Sequence, residues 1–497
     1  MIETITDNLS VLLVVLPLFS AFLLPIFSGK AKFADYTVIA VGVLFFIGTG
    51  YLTAVVLGQN GADITYSLGG WTAPWGIELK TGGLSAFFLL VVAVVCLPII
   101  LYAKNNLGAE LGGKSNNARF YALYLLLIGA LAGMAVTNDL FNVFVLVEVA
   151  TLSCCGLVST KNSPDAAKAA LNYLIIASLA SVLILGGIGF IYVLTGHLNM
   201  GFAHNELIKV WQNSPGVVFI AFSFILVGFG VKTALFPLHS WLPDAHSAAP
   251  SPASAALSGL AVKGYFLCCL KILYGVFGIQ LMREFSIQTL LAVLGMVAII
   301  AGSILAIMQD TLKRRLAFST IAQVGYLFLG ISFMSGQGLA GTLLYLASHA
   351  VCKSLLFLST GAMISAAGTG KIEELSGIGK KMPLTMAAFT IGSLGLIGIP
   401  LFSGFIGKWH LILAALDVGK IIPIAVMISG SLLCAGYLLP VIKKTCFEPV
   451  SNKNIEDPPA PQKMSFVLLI AMVLLIGLFP NLFIKLAGTA ANSFFLT

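Results

Sequence analysis

The chain is a succession of long apolar segments separated by short polar ones. Each segment has about 20 mostly apolar residues, enough to cross the hydrocarbon layer of a membrane as a helix. Apolar positions do not alternate with period two, which argues against a membrane β-barrel. Hydropathy and helix breakers predict fourteen transmembrane helices. They cover residues 9–28, 37–58, 84–104, 118–137, 139–160, 168–196, 215–239, 252–277, 286–308, 315–335, 341–365, 383–414, 420–444 and 464–489.

One stretch at the seventh and eighth predicted helices is unusually polar for its surroundings. It reads VKTALFPLHSWLPDAHSAAPSPASAALSGLAVKGY, from Val231 to Tyr265. A lysine at bilayer depth costs about 3 kcal/mol on insertion scales, so Lys232 and Lys263 are expected to be buried in protein or water and to be functional. Pro237 predicts a broken helix, because the backbone groups that it frees need partners inside the protein. We interpret His239, Asp244 and His246 as supporting groups of the same site.

Composition places the chain among integral membrane proteins. Of its 497 residues, 59% are hydrophobic and 9% charged, whereas about 25% are charged in a soluble globular chain. Glu3 and Asp7 precede the first apolar segment without Lys or Arg, so this segment is expected to stay as a helix and not to be a cleaved signal. The eight cysteines lack metal-binding spacing and are expected to be buried, reduced thiols.

The distribution of basic residues predicts the orientation. Alternating the loops of the fourteen helices places seventeen Lys and Arg residues on one side and six on the other, with Lys271 counted among the six. The cation-rich side is expected to be the cytoplasm, which puts both termini outside. We therefore expect a multi-pass protein of the bacterial or archaeal cytoplasmic (inner) membrane.

The same helix count predicts an internal repeat. Residues 118–277 and 286–444 each form a block of five helices with a proline-interrupted helix in fourth place, marked by Pro237 and Pro400. An odd number of helices inverts consecutive copies, and inverted repeats with broken helices indicate a transport site near the membrane midplane. Three leading helices (1–117) and one trailing helix (464–489) complete the prediction of an all-α polytopic fold.

Five ionisable groups fall inside the predicted helices. Besides Lys232 and Lys263 they are Glu148, Lys353 and Lys408. A carboxylate that faces an amine in a poorly solvated space changes its proton affinity as protons move, which is what a proton pump requires. The alternative is that Glu148 and Lys232 form a static ion pair that fixes two helices.

Further polar residues extend this set. His349 and Lys353 are four residues apart on one helix face, so the imidazole can relay a proton that the lysine stores. Lys408 follows a predicted break from Pro400 to Gly407, where unwound backbone can admit water. The tenth predicted helix contributes Ser319, Gln323 and Tyr326, but no acidic counterpart of Glu148.

Signatures of other chemistry are absent from the sequence. It has no phosphate-binding P-loop, no zinc-protease motif, no nucleophile elbow and no dinucleotide fingerprint in a strand–helix context. We therefore expect no cofactor, no metal site, no catalytic redox centre in this chain and no nucleic-acid partner.

These residues resemble the antiporter-like subunit family. The resemblance rests on Glu148, on KTALFPLHSWLPDAHSAAP with Lys232, on Lys263, on His349 with Lys353, and on SGFIGKW with Lys408. The family comprises the D subunit of Mrp sodium/proton antiporters, the M and N subunits of respiratory complex I, and hydrogenase equivalents; a lysine at position 408 resembles all but the M type. The resemblance implies a proton path through these residues and partner subunits in the same membrane.

The sequence therefore predicts a proton-translocating subunit of an Mrp-type Na⁺/H⁺ antiporter or an Mrp-bearing hydrogenase, with complex I as the alternative. Its partners would be other membrane subunits, H⁺ and, in an antiporter, Na⁺. Two rivals remain: a stand-alone transporter of a small solute, which inverted repeats would also suit, and a scaffold subunit whose charges only fix helix packing.

Overall fold

The computed structural model describes residues 2–27, 31–111, 117–449 and 455–495. Three of the basic residues counted for the orientation, Lys30, Lys114 and Lys453, lie outside these ranges. The helices are α1 (Ile2–Leu23), α2 (Ala31–Gly58), α3 (Gly83–Leu111), α4 (Asn117–Val136), α5 (Leu140–Ser159), α6 (Pro164–Thr195), α7 (Met200–Val210), α8 (Pro215–Lys232), α9 (Trp241–Ala248), α10 (Ser251–Ala256), α11 (Val262–Ile272), α12 (Gly278–Glu284), α13 (Ile287–Ile307), α14 (Leu312–Ile331), α15 (Gly336–Ala367), α16 (Pro383–Ile397), α17 (Ser403–Asp417), α18 (Ile421–Phe447), α19 (Ala460–Leu478) and α20 (Pro480–Asn492).

Twelve helical segments within the described residues are long and apolar enough to cross a membrane. The predicted count of fourteen is therefore not confirmed, although the predominantly helical membrane architecture is. The tenth predicted helix corresponds to α14, whose first turn carries Lys313, Arg314 and Arg315 and whose middle is polar. The twelfth divides into α16 and α17, which have 15 residues each.

Two helices form the centre of the bundle. α15 is buried along most of its length, and a helix that is buried all round belongs to a core. The second is the segment from α10 to α12, Ser251–Glu284, which contains two π-helical segments, Leu257–Ala261 and Leu273–Phe277. Around them, α6 exposes a stripe of apolar side chains that includes Leu171, Ile175 and Leu179. The bundle therefore buries its polar residues and presents apolar residues to its surroundings.

Equivalent capping residues delimit the two longest helices. The Ser163 hydroxyl accepts a hydrogen bond from the backbone N–H of Ala166 at the start of α6, and Ser335 does the same at the start of α15. Such caps satisfy N–H groups that lack partners in the first turn. Gly196 (φ 71°) and Gly368 (φ 74°) end the two helices in the left-handed conformation that glycine favours.

The loop after α2 contains a small sheet. Strands β1 (Ile64–Ser67) and β2 (Glu78–Thr81) pair antiparallel, with Ile64 opposite Thr81. The backbone N–H of Asn138 donates to the carbonyl of Glu78 over 2.9 Å, which ties this hairpin to the turn between α4 and α5.

Candidate functional site

The break around Pro237 places Lys232 at the last residue of α8. The helix ends there, seven residues before the predicted end, and the chain resumes as α9 at Trp241. The indole N–H of Trp241 donates to the Val231 carbonyl over 2.8 Å and so satisfies a group that the break leaves open. The ammonium of Lys232 thereby enters the bundle at the end of a helix whose free carbonyls favour a cation.

Lys232 meets Glu148 inside the bundle. Its Nζ lies 3.1 Å from Glu148 Oε1 and 2.8 Å from Thr151 Oγ1, and the Ser181 hydroxyl also donates to the Glu148 carboxylate. The Lys232 side chain is fully buried, whereas that of Glu148 is 28% exposed. The lysine thus has one carboxylate partner, and that carboxylate is partly exposed.

A row of hydroxyl groups leads from this pair to α11. Thr151 Oγ1 lies 3.3 Å from the Tyr265 hydroxyl, which lies 3.4 Å from the hydroxyl of Tyr173. Tyr173 stacks on Trp241 with ring centroids 4.2 Å apart. The sequence interpretation missed these residues, because tyrosine and threonine in apolar helices are common and only packing brings their hydroxyl groups together.

Lys263 lies beside the first π-helical segment. Its ammonium donates to the carbonyl of Ser258, which belongs to that segment. π-Helical turns free backbone groups and are frequent at functional sites. The Ser258 hydroxyl in turn lies 2.9 Å from Thr320 Oγ1 on α14, so Lys263 is linked to α14 through one residue.

Lys353 also contacts α14. Its Nζ donates to the Leu316 carbonyl over 2.8 Å and to the Ser319 hydroxyl. Ser319 and Thr320 are consecutive, so the links from Lys353 and Lys263 meet on neighbouring residues of α14. Ser319 is the one predicted supporting residue that contacts a predicted lysine by a direct hydrogen bond.

Two buried histidines accompany these lysines. His246 stacks on Phe357, and His349 lies parallel to Tyr345. Neither ring nitrogen of either histidine has a hydrogen-bond partner among the described protein atoms. Burying such a group unpaired costs about 1–3 kcal/mol, and ordered water is its ordinary partner. We therefore expect ordered water at the two imidazoles.

Lys408 forms the far end of the arrangement. Its Nζ donates to the carbonyls of Leu396 and Ile397 and to the Ser431 hydroxyl over 2.9–3.0 Å. The unwound segment covers only residues 398–402, so the predicted break to Gly407 was too long and Lys408 lies within α17. Its ammonium uses carbonyls that the end of α16 leaves free.

Aromatic and amide groups connect this end with α15. The ammonium of Lys408 lies 4.7 Å from the ring centroid of Tyr326 and 5.7 Å from that of Tyr345. The hydroxyl of Tyr345 donates to Gln323, whose amide nitrogen lies 3.3 Å from the hydroxyl of Tyr437. Gln323 and Tyr326, both predicted from sequence, thus lie between His349 and Lys408.

Two predicted supporting residues lie towards the surface. Asp244 pairs with Arg314 over 2.8 Å, both side chains being nearly half exposed, at a cavity of about 730 Å³ that Lys168 and Asn172 also line. The His239 ring stacks on Phe236. The structure therefore separates Asp244 and His239 from the inner lysines.

The inner groups share one property: they face protein and not lipid. Relative exposure is 1% for Lys232, 0% for Lys263 and Lys353, and 5% for Lys408. Hydrogen bonds among the described residues join them into short clusters, with His246 and His349 between the clusters. All eight cysteines are free thiols, and seven are buried.

Comparison with known proteins gives matches over most of the chain. A family model described as NADH:quinone oxidoreductase/Mrp antiporter, TM, matches residues 137–434. The chain is 36% identical to the N subunit of the NADH-quinone oxidoreductase of Desulforudis audaxviator over 468 residues, 93% of this chain and 91% of that protein. It is 30% identical to the D subunit of the Na(+)/H(+) antiporter of Alkalihalophilus pseudofirmus over 419 residues, 82% of this chain and 81% of that protein.

A solved structure has the same fold over nearly the whole chain. It is a chain in the membrane-bound sulfane sulfur reductase, an archaeal respiratory membrane complex, with a TM-score of 0.89 and 30% identity over 98% of this chain and 97% of that one. The resemblance to antiporter-like subunits is therefore confirmed.

Proposed function

This chain belongs to the transmembrane family described as NADH:quinone oxidoreductase/Mrp antiporter, and we propose that it translocates protons as one subunit of a multisubunit complex. The observation that carries the proposal is the row of buried ammonium groups, each held by neutral oxygen atoms and only one paired with a carboxylate. If the charges served only to fix helix packing, the Glu148–Lys232 ion pair would be enough. Three further lysines without a carboxylate partner raise the cost of membrane insertion and fix no helices.

The proton path that we propose has three parts. Protons reach the Glu148–Lys232 pair first, and the hydroxyl groups of Thr151 and Tyr265 lead from that pair to α11. The central part is Lys263, His349 and Lys353, joined through α14 and through water at the buried imidazoles. Lys408 is the terminal group, at the outlet or at the handover to a neighbouring subunit.

The inverted repeat supports this division into parts. α5 and α14 have 20 residues each, α6 and α15 have 32 each, and both later helices begin 172 residues after their counterparts. The backbone hydrogen bonds Leu140 N–H to Leu198 C=O and Leu312 N–H to Gly370 C=O are shifted by the same 172 residues.

The same register identifies equivalent positions in the two blocks. Thr320 corresponds to Glu148, and Lys353 corresponds to Ser181, which donates to Glu148. One block therefore pairs an acid with a lysine, whereas the other has a lysine without an acid. We propose that this difference makes the two halves unequal, the first receiving protons and the second passing them on.

The excess of basic residues on one side supports a cytoplasmic-membrane protein with both termini outside. In this orientation the cavity at Asp244 and Arg314 opens to the cytoplasm. We propose that it is the inlet to the Glu148–Lys232 pair, because it is lined by charged and polar groups and by residues of α6, the helix whose Ser181 donates to Glu148.

The partners that we propose are other membrane subunits, which would cover part of the apolar surface of α6. The driving reaction distinguishes two assemblies: an Mrp-type antiporter or an Mrp-bearing hydrogenase, which we favour, and respiratory complex I. Proton movement driven by a Na⁺ gradient supports an antiporter, whereas movement that requires electron transfer to a quinone supports complex I.

Reconstitution tests the function. The complex with Lys263→Met should assemble but move no protons, since the central ammonium is lost, whereas Lys485→Met changes an exposed lysine and should leave proton movement intact. The purified chain alone should transport nothing. Uptake of a solute by the lone chain would favour the transporter rival, and normal proton movement with Lys263→Met would favour a scaffold.

A further inference from the structure

One buried lysine has no place in this path. The sequence predicts Lys271 as a basic residue at the external end of its helix, but the structure buries it within α11. Its Nζ lies 3.3 Å from the Met134 carbonyl oxygen and 3.2 Å from that of Ala135, and it also donates to the carbonyl of Thr137. Three backbone oxygens therefore converge on one ammonium group.

These oxygens lie in the last turn of α4 and on Thr137, the residue that follows it. The last carbonyls of a helix have no intrahelical donor, and they carry the negative end of its dipole. Converging backbone carbonyls can replace the hydration shell of an alkali cation, and the C-terminal ends of interrupted helices coordinate Na⁺ in transporters. The end of α4 thus offers the ligands that a small monovalent cation needs.

Lys271 also borders an open space. A cavity of about 290 Å³ is lined by Lys271, Asp63, Asn138 and His204, so the lysine side chain has room to leave the carbonyls. The cavity opens on the side of the β1–β2 hairpin, which is external in the proposed orientation. The charged and titratable groups that face Lys271 here are Asp63, Lys80, His204, Tyr274 and Cys268.

Those groups do not supply a fixed counter-ion. Asp63 and Lys80 pair with each other over 2.8 Å, and the Nδ1 atom of His204 is hydrogen-bonded to the Val276 carbonyl. The three carbonyls therefore hold one cation, which in this structure is the ammonium group of Lys271.

We propose that the C-terminal end of α4 is a binding seat for one monovalent alkali cation, which competes with the Lys271 ammonium for the same three carbonyls. The inference rests on the proposed function, since it supplies a cation site for exchange against protons. When external Na⁺ takes the seat, Lys271 rotates into the cavity. The charge of the bound Na⁺ then disfavours the ammonium form of Lys271, which gives its proton to water. One Na⁺ enters and one H⁺ leaves, so the seat always holds one positive charge.

If Lys271 were purely structural, it would cap the end of α4 and would not exchange with Na⁺. A matched variant distinguishes this structural role from cation exchange. Lys313 is also buried, but its Nζ holds a single backbone carbonyl, that of Ala249, at 2.8 Å. Lys271→Met and Lys313→Met both remove a buried ammonium. Only Lys271→Met leaves a set of oxygens that can bind Na⁺.

The test is thermal unfolding of the full chain in nanodiscs, in NaCl and in N-methylglucamine chloride of equal ionic strength. Both variants should be destabilised in N-methylglucamine. Na⁺ should raise the Tm of Lys271→Met by about 2 °C or more, because ligand binding stabilises the folded state, and should not raise that of Lys313→Met. Equal Tm values of Lys271→Met in both salts, or equal gains in both variants, would overturn the proposal.

Proton release gives a second readout that does not depend on the methionine variants folding. Adding Na⁺ to the unsubstituted protein in weak buffer should release protons, and adding it to Lys271→Arg, which stays charged, should release none. Equal release from both would refute the seat. If the seat fails while Lys263→Met still stops proton movement in the complex, only this inference falls and the proposed function stands.

Discussion

Replacing Glu148 with glutamine removes one charge from the buried pair while keeping the shape of the side chain. Lys232 Nζ lies 3.1 Å from Glu148 Oε1, and two unit charges at that distance attract by about 5 kcal/mol at an effective dielectric constant of about 20. The 28% exposure of the Glu148 side chain reduces this attraction. Breaking a buried pair by removing one partner costs about 3–5 kcal/mol, and we take the lower figure.

A loss of about 3 kcal/mol corresponds to a factor of at least about 100 in rate, since each 1.36 kcal/mol is tenfold. Glu148→Gln should therefore slow proton movement about 100-fold in a complex that still contains all its subunits. The assay is quenching of a pH-sensitive dye in proteoliposomes, with co-purification of the partner subunits as the measure of assembly.

Glu206→Gln is the matched control. It makes the same change in a carboxylate that pairs with Lys209 over 2.7 Å at the exposed surface, and exposed pairs contribute little. It should leave proton movement unchanged. Unimpaired proton movement in Glu148→Gln would refute the reasoning. The carboxylate would then neither stabilise the charge of Lys232 nor take part in proton transfer.

Two further substitutions test the surroundings of the site. Ser181→Ala removes a hydrogen bond to the charged carboxylate of Glu148, and such bonds are worth about 1.5–3 kcal/mol, so proton movement should fall about tenfold; an unchanged rate would contradict this role. Gly404→Ala would place a Cβ 1.9 Å from the Gly395 carbonyl oxygen and should destabilise the chain by about 1–3 kcal/mol, whereas Gly436→Ala meets open space and should not lower the Tm. Equal Tm values for the two alanine variants would show that α16 and α17 separate easily.

Much of the site could be predicted from sequence because charge inside an apolar helix is rare. Lys232, Lys263, Lys353 and Lys408 stand out for that reason alone, and all four are buried in the bundle. The contact between Glu148 and Lys232 also agrees with the predicted packing of their helices. The predicted ends of the helices were less accurate, because a proline marks the position of a helix break only approximately.

Other features depend on packing that no local pattern reveals. The hydroxyl groups of Thr151, Tyr173 and Tyr265 meet only because α5, α6 and α11 converge. Lys271 looks like a residue that marks an external loop, because it stands near the end of a predicted helix, yet the end of α4 surrounds it.

The central claim is that protons pass between buried side chains that water connects. A cryo-EM map of the intact complex, at a resolution that shows ordered water, tests it most directly. The account predicts water at the ring nitrogens of His246 and His349, completing a hydrogen-bonded line from Lys232 through Lys263 and Lys353 to Lys408. Dry, close-packed side chains between these lysines, with no water at either imidazole, would contradict it.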